Sequence, residues 1–284
     1  MTTRTPSARR WARIGGAGLR AGAMALLVAL PPLVLGEGSE AGGQLVALFA
    51  LLLFAFTAAE YAAANPSLVE FREAPPYNRL RALALGGSLL GASLVLREGE
   101  GGTGAGTAEL LLRALAARLG EALDRPLSPV RLLAASLAQG EPGRAASLGA
   151  AAGVAYAVSL LVAGGFALAL RLRGWPSARS FNLWVNLPQF DPTAARDVVG
   201  RLQAEANLNL SLGVLLPWVL PVAVRLAPLE GSVLAEPTAI AWTVTAWAFL
   251  PASLLMRGAA LHRVAGMIAA QRRRAGGEGA LQPA

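Results

Sequence analysis

Leu45–Ala59 reads LVALFALLLFAFTAA, fifteen residues with no charge and no proline. With its flanks it makes an apolar segment over 44–64, the length a helix needs to cross the ~30 Å hydrocarbon core of a bilayer. Inside lipid every backbone polar group must be satisfied locally, so such a run is read as a transmembrane helix. Pro66 ends it, because proline has no amide to continue the helix. The connector NPSLVEFREAPPYNRLR follows over 65–81.

The same pattern recurs on both sides. Apolar blocks fall at about 21–36, 82–96, 147–170, 208–227 and 239–257, giving an all-α, polytopic bundle of about six transmembrane helices. A basic tail over 1–20 precedes a membrane domain over 21–263, and a basic, partly disordered tail over 264–284 follows it. The first span resembles a signal peptide in charge pattern, but no small-x-small cleavage site follows, so it reads as a retained helix. Pro31-Pro32, Pro217, Pro221 and Pro251 predict kinked or broken helices, the geometry in which transporters build binding sites. Gly87-xxx-Gly91 and Gly149-xxx-Gly153 predict close packing of the third span on the fourth.

Residues 97–145 differ. A Gly-rich linker leads to an amphipathic segment over 108–124, with Leu111, Leu112, Leu115, Leu119, Ala122 and Leu123 on one face and Glu109, Arg113, Glu121 and Asp124 on the other. Ser128-Pro129 suits the start of a second short helix, to about Ala138. Neither is long enough to span, so both should lie on the bilayer surface or cover the bundle. In the connector 171–206, Asp191 or Thr193 is placed to cap another short amphipathic helix.

Composition agrees with a membrane protein: 55% hydrophobic, 15% charged, mean hydropathy +0.50. All 25 basic residues counted as Lys or Arg are Arg, which removes Schiff-base and phosphate-loop lysine chemistry. There is no Cys and one His, which excludes disulfides and thiolate catalysis and leaves little for a histidine metal site. No cofactor is expected. The net charge of +8 lies beside apolar spans, where arginine serves topology and anionic headgroups rather than nucleic acid. Five Arg in the N-terminal tail, three in 65–81, five in 171–206 and five from Arg257 onward share one side if both termini are cytoplasmic. The short opposite turns carry Glu37, Glu40, Glu230 and Glu236 instead. The expected location is therefore a bacterial inner membrane, with both termini cytoplasmic.

Three motifs fail their context. Gly99-x-Gly101-x-x-Gly104 has the letters of a dinucleotide fingerprint without the strand and helix it needs. Six spans with cytoplasmic ends invite comparison with rhomboid-type intramembrane serine proteases, but Ser93 and His262 should stand at opposite membrane faces. Asp191-Pro-Thr-Ala-Ala-Arg196 lacks the set of acids that CDP-alcohol phosphotransferases use for metal.

The sharpest single residue is Glu60, an acid inside a span and so a functional candidate by default. It lies about one turn from the end of its helix, within reach of Arg72 or Arg79 as an ion pair. Phe181, Trp184, Phe190, Asp191 and Arg196 suit an interfacial docking surface. The chain thus reads as a non-enzymatic scaffold, accessory subunit or assembly factor, with lipid and a membrane-protein partner or second copy around it. The alternatives are a small-solute transporter or channel with Glu60 on its path, and, last, a lipid-modifying enzyme using Asp191, Asp197 and Glu205.

Overall fold

The computed structural model describes residues 6–36, 40–97, 106–138, 141–173, 175–176, 181–190, 197–226 and 236–279. Among these, all regular structure is helical. The helices are α1 (Pro6–Leu35), α2 (Glu40–Ala62), α3 (Tyr77–Leu96), α4 (Thr107–Leu123), α5 (Pro129–Ala138), α6 (Pro142–Arg173), α7 (Leu183–Asn186), α8 (Val198–Leu226) and α9 (Pro237–Gly279). Six of them, α1, α2, α3, α6, α8 and α9, are long and apolar enough to cross a membrane. The chain is a multi-pass, all-α membrane bundle.

The connector 63–76 meets residues 175–176 and 181–190 at one end of the bundle, termed here the connector end. Helices α4 and α5 cover the opposite end. Helices α8 and α9 form the most extensive pair, and α3, α6 and α9 pack mutually at the centre. One buried cluster fills the connector half around Phe71, Tyr77, Phe166 and Met256. A second fills the other half around Leu133, Leu148, Val244 and Trp247.

Several boundaries differ from those the residue pattern predicts. Helix α3 starts at Tyr77, so Arg79 and Arg81 belong to its first turns rather than to the connector. Helix α8 is continuous through Pro217 and Pro221, and it absorbs the short amphipathic helix expected before it. Asp197 caps it: its Oδ1 accepts the Gly200 amide at 2.9 Å. Asp191, Thr193 and Arg196 lie outside the described residues, as do Gly99, Gly101 and Gly104. Helix α9 runs 43 residues through Pro251 and past Arg257 to Gly279. Its continuation past Arg257 carries six Ala and four Arg, both strong helix formers.

The carbonyl that Pro221 orphans finds a donor on another helix. Pro221 cannot donate to the carbonyl of Pro217, four residues earlier. The Trp247 indole nitrogen donates to that carbonyl instead, at 3.0 Å. The Pro221 carbonyl in turn accepts the Ser136 hydroxyl at 3.1 Å, tying α5 to α8.

The glycines sort differently from their motif. Gly87 and Gly91 do face α6: a Cβ on Gly91 would stand 2.6 Å from Val154 Cγ1. Between them, the Ser88 hydroxyl shares a hydrogen bond with Ser159 at 2.9 Å and lies 3.0 Å from the Ala155 carbonyl. Gly153, however, faces α4 rather than α3, and the nearest atom to a Cβ on Gly149 would be the Ala134 methyl group of α5, at 4.0 Å. A Cβ on Gly120 would meet the Ala150 amide at 2.9 Å, so α4 lies backbone to backbone on α6. That contact uses the small face of α4, Ala116 and Gly120, and turns Leu110, Leu111 and Leu115 outward. Of the expected leucine face, Leu111 and Leu115 point outward, as they would for a helix lying in the interface, while Leu119 and Leu123 pack against the bundle.

Candidate functional site

The connector end holds the most deeply buried charged side chains among the described residues, Glu60, Arg72 and Glu70. It begins with the last turn of α2, whose terminal carbonyls have no intrahelical donors. Arg72 supplies them. Its guanidinium donates to the carbonyls of Glu60 and Ala63 at 2.8 Å each and of Ala64 at 2.9 Å. A cation there also complements the negative end of the helix dipole.

The Glu60 carboxylate does the reciprocal job for the loop. It accepts the backbone amides of Ser67 (3.1 and 3.2 Å), Leu68 (3.0 Å) and Val69 (3.0 Å), together with the Ser67 hydroxyl. Glu60 is buried by this nest. The expected Glu60–Arg72 ion pair is thus replaced by two separate caps, and the nearest carboxylate to Arg72 is that of Glu73, at 3.7 Å. Arg79 is exposed on α3.

The second component is an ion triad. Arg257 of α9 donates from Nε and from one terminal nitrogen to the two carboxylate oxygens of Glu70, both at 2.7 Å. The same terminal nitrogen reaches Glu205 of α8 at 2.5 Å. The fork-to-carboxylate geometry is the strong, directional form of this contact. It joins the connector, α8 and α9 at one point. Gly258 makes the junction possible, because a Cβ there would stand 2.8 Å from the Ala206 carbonyl.

The third component locks the two connectors together. Asn186, almost fully buried, accepts the Phe71 amide on its carbonyl (2.7 Å) and the Glu73 amide on Oδ1 (3.1 Å). The Trp175 indole donates to the carbonyls of Ala74 and Pro75 at 3.1 and 3.0 Å. Phe71 has a positive φ of 52°, costly for a bulky residue. It is held there by Tyr77, Trp175 and Phe181, with ring centroids 4.6, 5.6 and 6.3 Å away.

Of the aromatic residues expected to form a docking surface, Phe181 is half-buried in this cluster. Phe190 is buried and lies under the Arg201 guanidinium at 4.9 Å. Trp184 alone of the three is exposed, at 59%. Glu70 and Arg257 were not legible as a pair, although an arginine inside LLMRGAAL calls for an acid partner.

Two cavities stand out elsewhere, and neither is lined by Glu60. An apolar one of about 180 Å³ lies between α6, α8 and α9, beside Tyr156, Pro217 and Pro251. A larger one of about 510 Å³ lies at the opposite end, lined by Arg97, Glu141, Arg144 and Ser147 among others. No protein family, curated protein or solved structure matches this chain.

Proposed function

We propose that the protein is a non-enzymatic scaffold or accessory subunit of a membrane complex, with α2 as its intramembrane contact. On this reading it resides in a bacterial inner membrane with the connector end and both termini in the cytoplasm. The observation that carries the proposal is the contrast between the two parts of α2. Its end is fastened by the Glu60 and Arg72 caps, whereas its flank packs substantially on α1 alone. Only 11% of its most apolar window is buried, the lowest value among the six spans. One narrow stripe, Val46, Ala50, Leu53 and Thr57, faces inward. Leu45, Leu48, Phe49, Leu51, Leu52, Phe54 and Phe56 are presented to whatever surrounds the bundle. A rigidly positioned helix with a free aromatic flank suits a partner helix or a second copy of this chain.

Site-specific photo-crosslinking in membranes tests this. A crosslinker at Leu52 should give a discrete protein adduct, and one at the still more exposed Leu161 of α6 should give lipid adducts only. Lipid adducts at both positions, with a partnerless monomer in mild detergent, would overturn the proposal. The transporter reading loses its motivating residue, since the carboxylate of Glu60 is engaged by the connector amides.

A further inference from the structure

The level of the bilayer can be read along α8. Its exposed apolar side chains begin at Leu208, within one turn of Glu205 in the ion triad, and end at Leu226, beside the exposed Arg225. That band is about 27 Å long at 1.5 Å per residue, close to the ~30 Å of a hydrocarbon core. Trp218 lies within it, about 12 Å short of the edge at Leu226. Trp247, bonded to the neighbouring Pro217 carbonyl, gives the same level on α9, about 15 Å inside that helix from Pro237.

Helices α4 and α5 reach down to that level. Arg113 of α4 donates to the Arg97 carbonyl, at the far end of α3, at 2.8 Å. From there α4 runs along α6, and a Cβ on its Gly120 would meet the Ala150 backbone, about 12 Å inside α6. The turn 124–128 follows, and its Leu127 carbonyl accepts the Trp218 indole at 2.9 Å. Helix α5 then turns back, with Val130 and Leu133 buried in one cluster with Val244 and Trp247. The two helices form a hairpin whose tip stands inside the apolar band. The tip is charged and open. Arg118 pairs with Glu121 at 3.4 Å and Arg131 with Asp124 at 3.6 Å, and these four side chains are 55–83% exposed. Arg125 is exposed beside them. Exposed ion pairs are costly in hydrocarbon. Arginine can snorkel part of the way to an aqueous surface, but the short side chains of Glu121 and Asp124 cannot.

We infer that the α4–α5 hairpin thins the bilayer on this flank. It draws water and headgroups of the leaflet opposite the connector end down to residues 124–128. Deforming one leaflet costs little beside leaving the charges of Arg118, Glu121, Asp124, Arg125 and Arg131 in hydrocarbon. The surface is thus an interaction site for lipid headgroups, on a different flank from α2.

The full chain has no native Cys, so single-cysteine variants can be spin-labelled and reconstituted in dioleoyl-phosphatidylcholine vesicles. Collisions with a water-soluble nickel chelate and with oxygen are compared at Arg125→Cys and at Val222→Cys, an exposed α8 position nearer the membrane edge than Trp218. Nickel collisions should exceed oxygen collisions at 125 and fall below them at 222. Neutralising the two ion pairs together (Arg118→Gln, Glu121→Gln, Asp124→Asn and Arg131→Gln) should move the value at 125 toward that at 222. All four side chains are exposed, so the fold should tolerate the change. Bimane attached at Leu127→Cys reports the depth independently: Trp218 should quench it, and Trp218→Phe should relieve the quenching. Nickel excluded from 125 as it is from 222, or reaching both alike, overturns the inference. So does an unquenched bimane, which would place the tip away from α8, or nickel access at 125 that survives neutralisation.

Discussion

Arg72 hydrogen-bonds the backbone carbonyl of Glu60 at 2.8 Å and leaves its carboxylate to the amides of the following loop. The two residues are coupled through opposite ends of the same turn rather than through their charges. The carboxylate completes the loop amides, and the guanidinium completes the helix carbonyls.

That arrangement predicts a local rather than a global defect on neutralisation. Glu60→Gln keeps one good acceptor for the five contacts the carboxylate takes, so the loop should open at a cost of about 1–3 kcal/mol. The Arg72 side chain is 8% exposed in the native connector. Trypsin should therefore cut after Arg72 much faster in Glu60→Gln than in the parent, while helix content by circular dichroism stays the same. Unchanged cleavage would show that the nest does not hold the connector.

The triad predicts an asymmetry between single and double variants. Arg257→Gln leaves Glu70 and Glu205 facing each other without their shared cation, a loss of about 3–5 kcal/mol for a buried pair. The half-exposed Glu205 should bring the value toward the lower end. Removing the acid as well, in Glu70→Gln with Arg257→Gln, should cost less than Arg257→Gln alone. Arg257→Lys should fall between parent and Arg257→Gln, because an ammonium cannot make the two-point contact. Chemical denaturation of the parent and these three variants in detergent measures this; a double variant that loses as much as Arg257→Gln or more would refute the coupling.

Glycine substitutions separate close helix contacts from lipid-facing positions. A Cβ at Gly213 would meet the Pro251 carbonyl at 2.9 Å, and one at Gly258 the Ala206 carbonyl at 2.8 Å, whereas Gly43 has nothing within 4 Å. Gly213→Ala and Gly258→Ala should each destabilise by about 1–3 kcal/mol through forced separation of α8 and α9. Gly43→Ala should be neutral or slightly stabilising. Thermal unfolding in detergent reads the difference, and equal effects at the three positions would contradict the packing.

These glycines also show where the sequence stops being legible. The six spans were readable because bilayer thickness imposes a length on any apolar run, as in Leu45–Ala59. Gly213 and Gly258 carry no signal, since each is a lone small residue whose partner lies on another helix. The triad is invisible for the same reason: Arg257 stands 187 residues from Glu70 and 52 from Glu205. Glu60 and Arg72 were close enough to suggest a pair, but proximity in sequence ignored the free carbonyls at a helix end. Those carbonyls outcompeted the carboxylate for the cation.

The proline in α8 allows the sharpest test, because the missing hydrogen bond can be restored. The Trp247 indole donates to the Pro217 carbonyl, which Pro221 cannot serve. Trp247→Phe keeps most of the ring volume and removes only that donor, so it should cost about 1 kcal/mol in the parent. In a Pro221→Ala background the new amide of residue 221 can donate to the same carbonyl as an ordinary helical bond. The cost of Trp247→Phe should then shrink, giving a positive coupling in a double-mutant cycle. If the loss is the same in both backgrounds, the indole contributes through packing against Tyr156, whose ring centroid lies 5.2 Å away, and not through the orphaned carbonyl.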